Sequence, residues 1–213
     1  MKRLYVFGDS FSDTHIISNN KSYLSWKGYT PLTFQQIISQ SLDLEIVNFS
    51  KSFGMDNYTI MQQICNNIDY IKDSIVIINW SEPIRFRMVD ISLEKWRTII
   101  PNSVMRLNKG LPYVNGVENN VIDGTFLNRE HPLYLDEITS WIKLINKALK
   151  GNTIVHWSWY NNMSYETITE ETNGEIIDFH YSEKGHFDLS FWILEQISNG
   201  GYLKSPFINN SLI

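Results

Sequence analysis

Four short segments of this chain are dense in apolar, β-branched and aromatic residues: Leu4–Phe7, Leu44–Phe49, Ile75–Ile78 and Thr153–Trp157. Each has the length and make-up of a strand. Ile75-Val76-Ile77-Ile78 shows no polar alternation, which predicts burial on both faces, as in a parallel sheet covered by helices. Between these segments the apolar spacing changes to the helical period. Phe34, Ile37, Ile38 and Leu42 share one face of a helix predicted over Leu32–Leu42, with Pro31 in its first turn. Ile60, Ile64, Ile68 and Ile71 do the same over Asn57–Ile71. Ile138, Trp141, Ile142, Ile145 and Leu149 mark a third helix, which Gly151 stops, and Glu183–Ile197 is a closing helix. Strands alternating with helices predict a doubly wound α/β sheet. Residues 14–29 and 161–175 read as polar loops. Residues 81–134 carry four prolines and no clean period outside Leu93–Ile99. About 87–134 is therefore expected to be an insertion or lid over the sheet edge, with small strands or helices inside it.

The chain of 213 residues suits one domain, 1–213, with a sizeable core, and 43% hydrophobic residues argue against disorder. Its single cysteine, Cys65, excludes a disulfide framework and is expected on a buried helix face. A formal net charge of −5 disfavours nucleic acid as a partner. No run approaches the ~20 apolar residues of a membrane span. Met1-Lys2-Arg3 is followed by only a short apolar run, unlike a signal peptide, so the expected location is cytoplasmic.

Candidate chemistry appears at the two ends of the chain. The first predicted strand runs into Gly8-Asp9-Ser10-Phe11-Ser12-Asp13, which places Ser10 at the carboxyl edge of the sheet, where open α/β folds bind their ligands. Ser10 reads either as a nucleophile or as a helix cap, and Ser12 and Asp13 are capable of the second task. A nucleophilic serine needs a base, and Asp178-Phe179-His180 offers an imidazole beside a carboxylate. A backbone carbonyl is the other group able to orient that ring. His156 reads as a core or rim histidine, and His15 and His131 fall in loops. No two of the histidines have zinc-ligand spacing, so neither a metal nor a cofactor is expected.

Gly8-Asp9-Ser10-Phe11-Ser12-Asp13 resembles the opening motif of the GDSL/SGNH hydrolases, a family of serine esterases, lipases and carbohydrate deacetylases. The stretch from Asp178 to His186, ending in Gly185-His186, resembles that family's last block. The resemblance spans nearly the whole chain. It implies a three-layer α/β/α, flavodoxin-like SGNH fold around a mostly parallel sheet of about five strands. It also implies a triad of Ser10, His180 and Asp178, although the family usually spaces its Asp three residues before the His rather than two. His186 would then be a packing residue. The oxyanion donors implied are the backbone N–H of Ser10 and of Gly54. The third-block Asn is missing: Pro83 stands near its place, and Asn57 is the candidate substitute. Trp80-Ser81-Glu82-Pro83-Ile84-Arg85 is similar to a divergent branch of the family, which puts Arg85 near the site. Trp80, Trp157, Trp159 and Tyr160 fall near strand ends, where aromatic faces either stack on sugar rings or, as is commoner for tryptophan, pack in the core.

The function expected is serine-dependent hydrolysis of an O-acyl ester, with a small molecule or an acetylated carbohydrate as substrate and Trp80 and Arg85 in contact with it. Two alternatives stay open: an O-acyltransferase using the same triad, and a non-catalytic module that binds a glycan or protein. A nucleotide binder ranks last, because no glycine-rich phosphate loop follows the first strand.

Overall fold

The computed structural model describes residues 2–50, 55–81, 86–90, 95–99, 132–159 and 165–207, with 86–90, 95–99 and 132–134 described by their backbone. Six strands are present among them: β1 (Arg3–Phe7), β2 (Glu45–Asn48), β3 (Ile75–Asn79), β4 (Phe86–Asp90), β5 (Lys95–Ile99) and β6 (Thr153–Trp157). The helices are α1 (Ile16–Asn19), α2 (Lys21–Lys27), α3 (Phe34–Leu42), α4 (Asn57–Asn67), α5 (Pro132–Ala148), α6 (Ile168–Glu171) and α7 (Glu183–Ser198).

The main sheet has the order β2-β1-β3-β6, and every pair in it is parallel. The outer edge of β6 carries one further parallel bridge, at Tyr202, whose N–H and C=O bond Ile154 and His156. Counting that bridge as a vestigial fifth strand, the order follows the flavodoxin-like scheme. The expected sheet of about five strands is thus four strands and a bridge.

Alternation along the strands divides the core in two. Tyr5, Phe7, Val76, Ile78 and Ile154 face α4 and α5, where Ile60, Ile64, Ile138, Ile142 and Ile145 meet them. Leu4, Val6, Ile75, Ile77, Val155 and Trp157 face α3 and α7 through Phe34, Ile38, Leu189 and Ile193. All five residues of β3 are buried, which is why its sequence shows no polar alternation. The structure is a three-layer α/β/α sandwich.

Several local expectations are corrected. The loop predicted over 14–29 contains α1 and α2, and that over 161–175 contains α6. These helices are short and end in caps rather than presenting a long apolar stripe. The helix expected from Leu32 begins at Phe34, because Gln36 Oε1 accepts the Thr33 N–H at 2.8 Å and fixes the start there. α4 ends at Asn67 and continues as a 3-10 turn, Ile68–Tyr70. Cys65 is exposed: Ile60 and Ile64 hold the buried face, and the next residue is rotated away from it. Within the expected insertion, β4 and β5 form an antiparallel pair separate from the main sheet. The insertion's residues 100–131 lie outside the described residues. Among the described residues, no helix is long and apolar enough to cross a membrane.

Candidate active site

The carboxyl ends of β1, β3 and β6 converge on one side chain, Asp9. It is fully buried and caps the 3-10 turn Ser10–Ser12 by accepting the Phe11 N–H at 3.1 Å. Asn79, the last residue of β3, donates to the same Asp9 oxygen at 2.8 Å. Ser81 Oγ and Trp159 Nε1 donate to the other, at 2.9 Å and 2.8 Å. This carboxylate ties together three strand ends and thereby fixes the turn that carries Ser10. Gly8 lets β1 approach β3 closely enough for that: a Cβ on Gly8 would lie 2.7 Å from the Asn79 Cβ. Ser10 occupies the first position of the turn, where a backbone N–H has no partner inside the helix. The residue is 9% exposed and so is largely buried in the packed edge of the sheet.

His180 and Asp178 form a direct pair. Nδ1 of His180 lies 2.6 Å from Asp178 Oδ1, and the His180 backbone N–H donates to the same oxygen at 3.0 Å. An ionised carboxylate only accepts, so the imidazole proton is on Nδ1 and Nε2 carries the lone pair. Nε2 is buried and has no hydrogen-bond partner among the described residues. Burial alone would raise the Asp178 carboxyl. The hydrogen bonds from His180, its charge and a bond from Asn20 outweigh burial and hold Asp178 below the usual carboxylate range. The loop bearing the pair is fastened to α6. Thr169 Oγ1 accepts the Asp178 N–H and donates to the Asp178 carbonyl, both at 2.8 Å. The backbone N–H groups of Ile168 and Thr169 bond the carbonyls of His180 and Asp178.

Phe11 joins the two halves of the site. It directly follows Ser10, and its ring centroid is 4.9 Å from that of His180. On Phe11 also stacks Trp159, at 4.7 Å and nearly parallel. The ends of the chain expected to cooperate are therefore neighbours through this aromatic stack.

The remaining candidate residues are placed as follows. Asn57 exchanges two hydrogen bonds with the backbone of Ser81, at 3.0 Å and 2.7 Å, and so clamps the turn after β3. Trp80 corrects an expectation: it is fully buried in the core with Nε1 donating to His156 Nδ1 at 3.1 Å, and it presents no face to a substrate. Trp157 is likewise buried. Gly54, Pro83, Arg85 and Tyr160 lie outside the described residues. His156 is a core histidine whose Nε2 bonds Asn146 Oδ1 at 2.9 Å, and burial pushes its pKa down to about 3. His186 is also buried, with Nδ1 accepting the Phe34 N–H at 3.3 Å and its pKa pushed down to about 3, chiefly by burial. Neither is suited to carry a proton near neutral pH. Among the described residues, no group of three or more His, Cys, Asp or Glu side chains could hold a metal ion.

Sequence reasoning missed Asn20, Asn79 and Ser81 as parts of the site, and it read Trp159 as a stacking face rather than as a donor to Asp9. One signal was available: a polar side chain ending an otherwise buried strand, as Asn79 does, must find a partner.

No family model matches this chain, and no curated protein matches it. Among solved structures, it is similar to a crystal structure from Parabacteroides merdae ATCC 43184 described as a GDSL-like lipase. The likeness covers 93% of this chain and 76% of that one, at 12% sequence identity and a TM-score of 0.34.

Proposed function

We propose that this protein is a serine-dependent ester hydrolase acting on an O-acyl ester. Ser10 is the nucleophile, His180 the base and Asp178 the group that orients the base. The observation that supports this reading is the Asp178–His180 pair, 2.6 Å apart, which fixes the proton on Nδ1 and leaves Nε2 as an unpartnered acceptor. Phe11 keeps that imidazole against the turn bearing Ser10.

In the reaction, Ser10 Oγ adds to the ester carbonyl while Nε2 of His180 takes its proton. The bond to the alcohol then breaks, and the alcohol leaves with the proton from Nε2. Water attacks the acyl-enzyme with the same imidazole as base, which releases the acid and restores Ser10. The Ser10 N–H, and that of Gly54 as the family resemblance implies, serve the oxyanion. Losing one donor from such a hole lowers turnover by about 10²–10³-fold. The absence of a third-block Asn therefore predicts a slow enzyme.

The test is hydrolysis of p-nitrophenyl acetate, together with fluorophosphonate labelling read by intact mass, in wild type and Ser10→Ala. Turnover and label should vanish together in the variant while its thermal midpoint stays near wild type. A folded wild type that neither labels nor turns over would point instead to a binding module. Unchanged activity in Ser10→Ala would remove Ser10 as nucleophile.

A further inference from the structure

Asn20 is separated from Asp178 by 158 residues, yet its amide Nδ2 donates to Asp178 Oδ2 at 2.6 Å. The same planar group caps α2, with Oδ1 accepting the Tyr23 N–H at 3.0 Å. Asp178 Oδ1 is already occupied by the ring and backbone N–H groups of His180. The carboxylate is thus bonded at both oxygens, one by the base and one by Asn20. A carboxylate held through one oxygen can rotate about its last torsion, whereas one held through both cannot do so without breaking a bond.

The support behind Asn20 is itself firm. At the other end of α2, Lys27 Nζ is 2.6 Å from Glu171 on α6 and 2.8 Å from Glu183 on α7. Tyr23 on the same helix donates to Glu171 at 2.5 Å and accepts the Glu183 N–H at 3.0 Å. Those two elements flank the loop of Asp178 and His180, so α2 and the loop share one frame.

Resting on the hydrolase reading above, we propose that Asn20 is a positioning residue for the Asp178–His180 pair. Its amide locks the carboxylate in the plane that receives the imidazole N–H and so fixes the orientation of the His180 ring.

Capping alone does not require Asn. A cap needs only an acceptor, and Ser or Asp serve equally well. Asn supplies an acceptor and a donor on one rigid group. Asn20→Ser and Asn20→Asp therefore keep the cap and lose the donor, which separates positioning from helix stability. Asn20→Asp also sets a second carboxylate beside Asp178, and this added negative charge favours the imidazolium form of His180. The other titratable groups on the surrounding elements include Asp9 and Tyr181, Lys21, Tyr23 and Lys27 on α2, Glu170 and Glu171 on α6, and Glu183, Lys184, His186, Asp188 and Glu195 on α7, and neither variant replaces any of them. Among the described residues, the Asp178 carboxylate itself is bonded by His180 and Asn20.

The experiment is p-nitrophenyl acetate kinetics across pH 5–9 for wild type and both variants, with thermal midpoints and an NMR titration of His180. Asn20→Ser should lower kcat by about ten- to a hundredfold, as expected for a lost hydrogen bond to a charged group, with KM within about twofold. Asn20→Asp should move the acid limb of kcat/KM, and the His180 titration, upward. Asn20→Ser should melt near wild type, whereas Asn20→Asp, which sets two carboxylates against each other, should melt lower. Unchanged kcat in Asn20→Ser, or an unmoved His180 titration in Asn20→Asp, would overturn the role. The NMR comparison does not need turnover. A wild type that fails to label while His180 still shifts in Asn20→Asp would therefore count against the hydrolase reading and not against this contact.

Discussion

Asp9 and Ser10 are adjacent in the chain but answer to different physics. The Asp9 carboxylate is fully buried and takes hydrogen bonds from Phe11, Asn79, Ser81 and Trp159. Removing it strands three side-chain donors that folding has withdrawn from water, and each unsatisfied buried donor costs about 1–3 kcal/mol. Asp9→Ala should therefore lose about 3 kcal/mol or more in urea unfolding, whereas Ser10→Ala should stay within about 1 kcal/mol of wild type. Equal losses in the two variants would mean that the Asp9 network is not what holds the turn. The sequence made Ser10, Asp178 and His180 legible as candidates because each stands in a compact local motif. It hid Asn20, Asn79 and Ser81 because their roles come from contacts between residues far apart in the chain, as with the 158 positions that separate Asn20 from Asp178. Trp80 misled for a related reason. Its place after a strand was readable, but the direction of its ring is set by packing against Trp141 and His156.

At the scale of elements, legibility followed burial. β1, β3 and β6 were readable almost to the residue because buried parallel strands need continuous apolar side chains. α5 and α7 were readable because one stripe of each faces the sheet. The short helices α1, α2 and α6 offered no stripe of that length, and their ends are set by caps such as Thr167, which accepts the Glu170 N–H at 3.3 Å. The start of α7 shows how a short motif becomes an element boundary. Ser182 caps it by accepting the Gly185 N–H at 3.1 Å, and the Ser182 N–H bonds the Glu166 carbonyl at 2.9 Å. A Cβ on Gly185 would stand 2.2 Å from that same carbonyl oxygen. Replacing glycine by alanine inside a helix ordinarily gains about 1 kcal/mol. Here backbone must move, and overpacking of that kind costs about 1–3 kcal/mol or more, so the unfavourable effect wins. Gly185→Ala should lower the urea midpoint and, because α7 begins three residues after His180, reduce turnover as well. A variant more stable than wild type would show that the 166 segment yields freely.

For the molecule as a whole, the two buried histidines make stability depend on acid. His156 and His186 lie on opposite sides of the sheet, His156 against Trp80 on the α4–α5 side and His186 against Phe34 on the α3–α7 side. Both have their pKa pushed down to about 3 by burial. An unfolded histidine titrates near ~6.5, so between that pH and about 3 the unfolded chain binds two protons that the folded chain refuses. Stability is then full above the unfolded value and falls as pH drops through this window, by about 1.4 kcal/mol per pH unit for each imidazole. Asp178 acts lower down: its depressed carboxyl stabilises the fold above the unfolded value of ~3.9, and that contribution is lost as pH falls further, through its folded value. Lys27 works at the other extreme. Burial opposes its charge, but bonds to Glu171 and Glu183 outweigh this and raise its pKa. Its contribution is present below the unfolded value of ~10.4 and is lost in strong alkali. Urea midpoints should therefore be nearly flat from pH 7.5 to 9 and fall steeply from pH 6 to 4.5. His186→Gln, which can still accept the Phe34 N–H, should remove one of the two protons and reduce that acid slope by about half. A wild-type midpoint unchanged between pH 7.5 and 5 would mean that both imidazoles take up protons within the folded protein, and the sheet's two cores would then have to admit charge that their packing leaves no means to solvate.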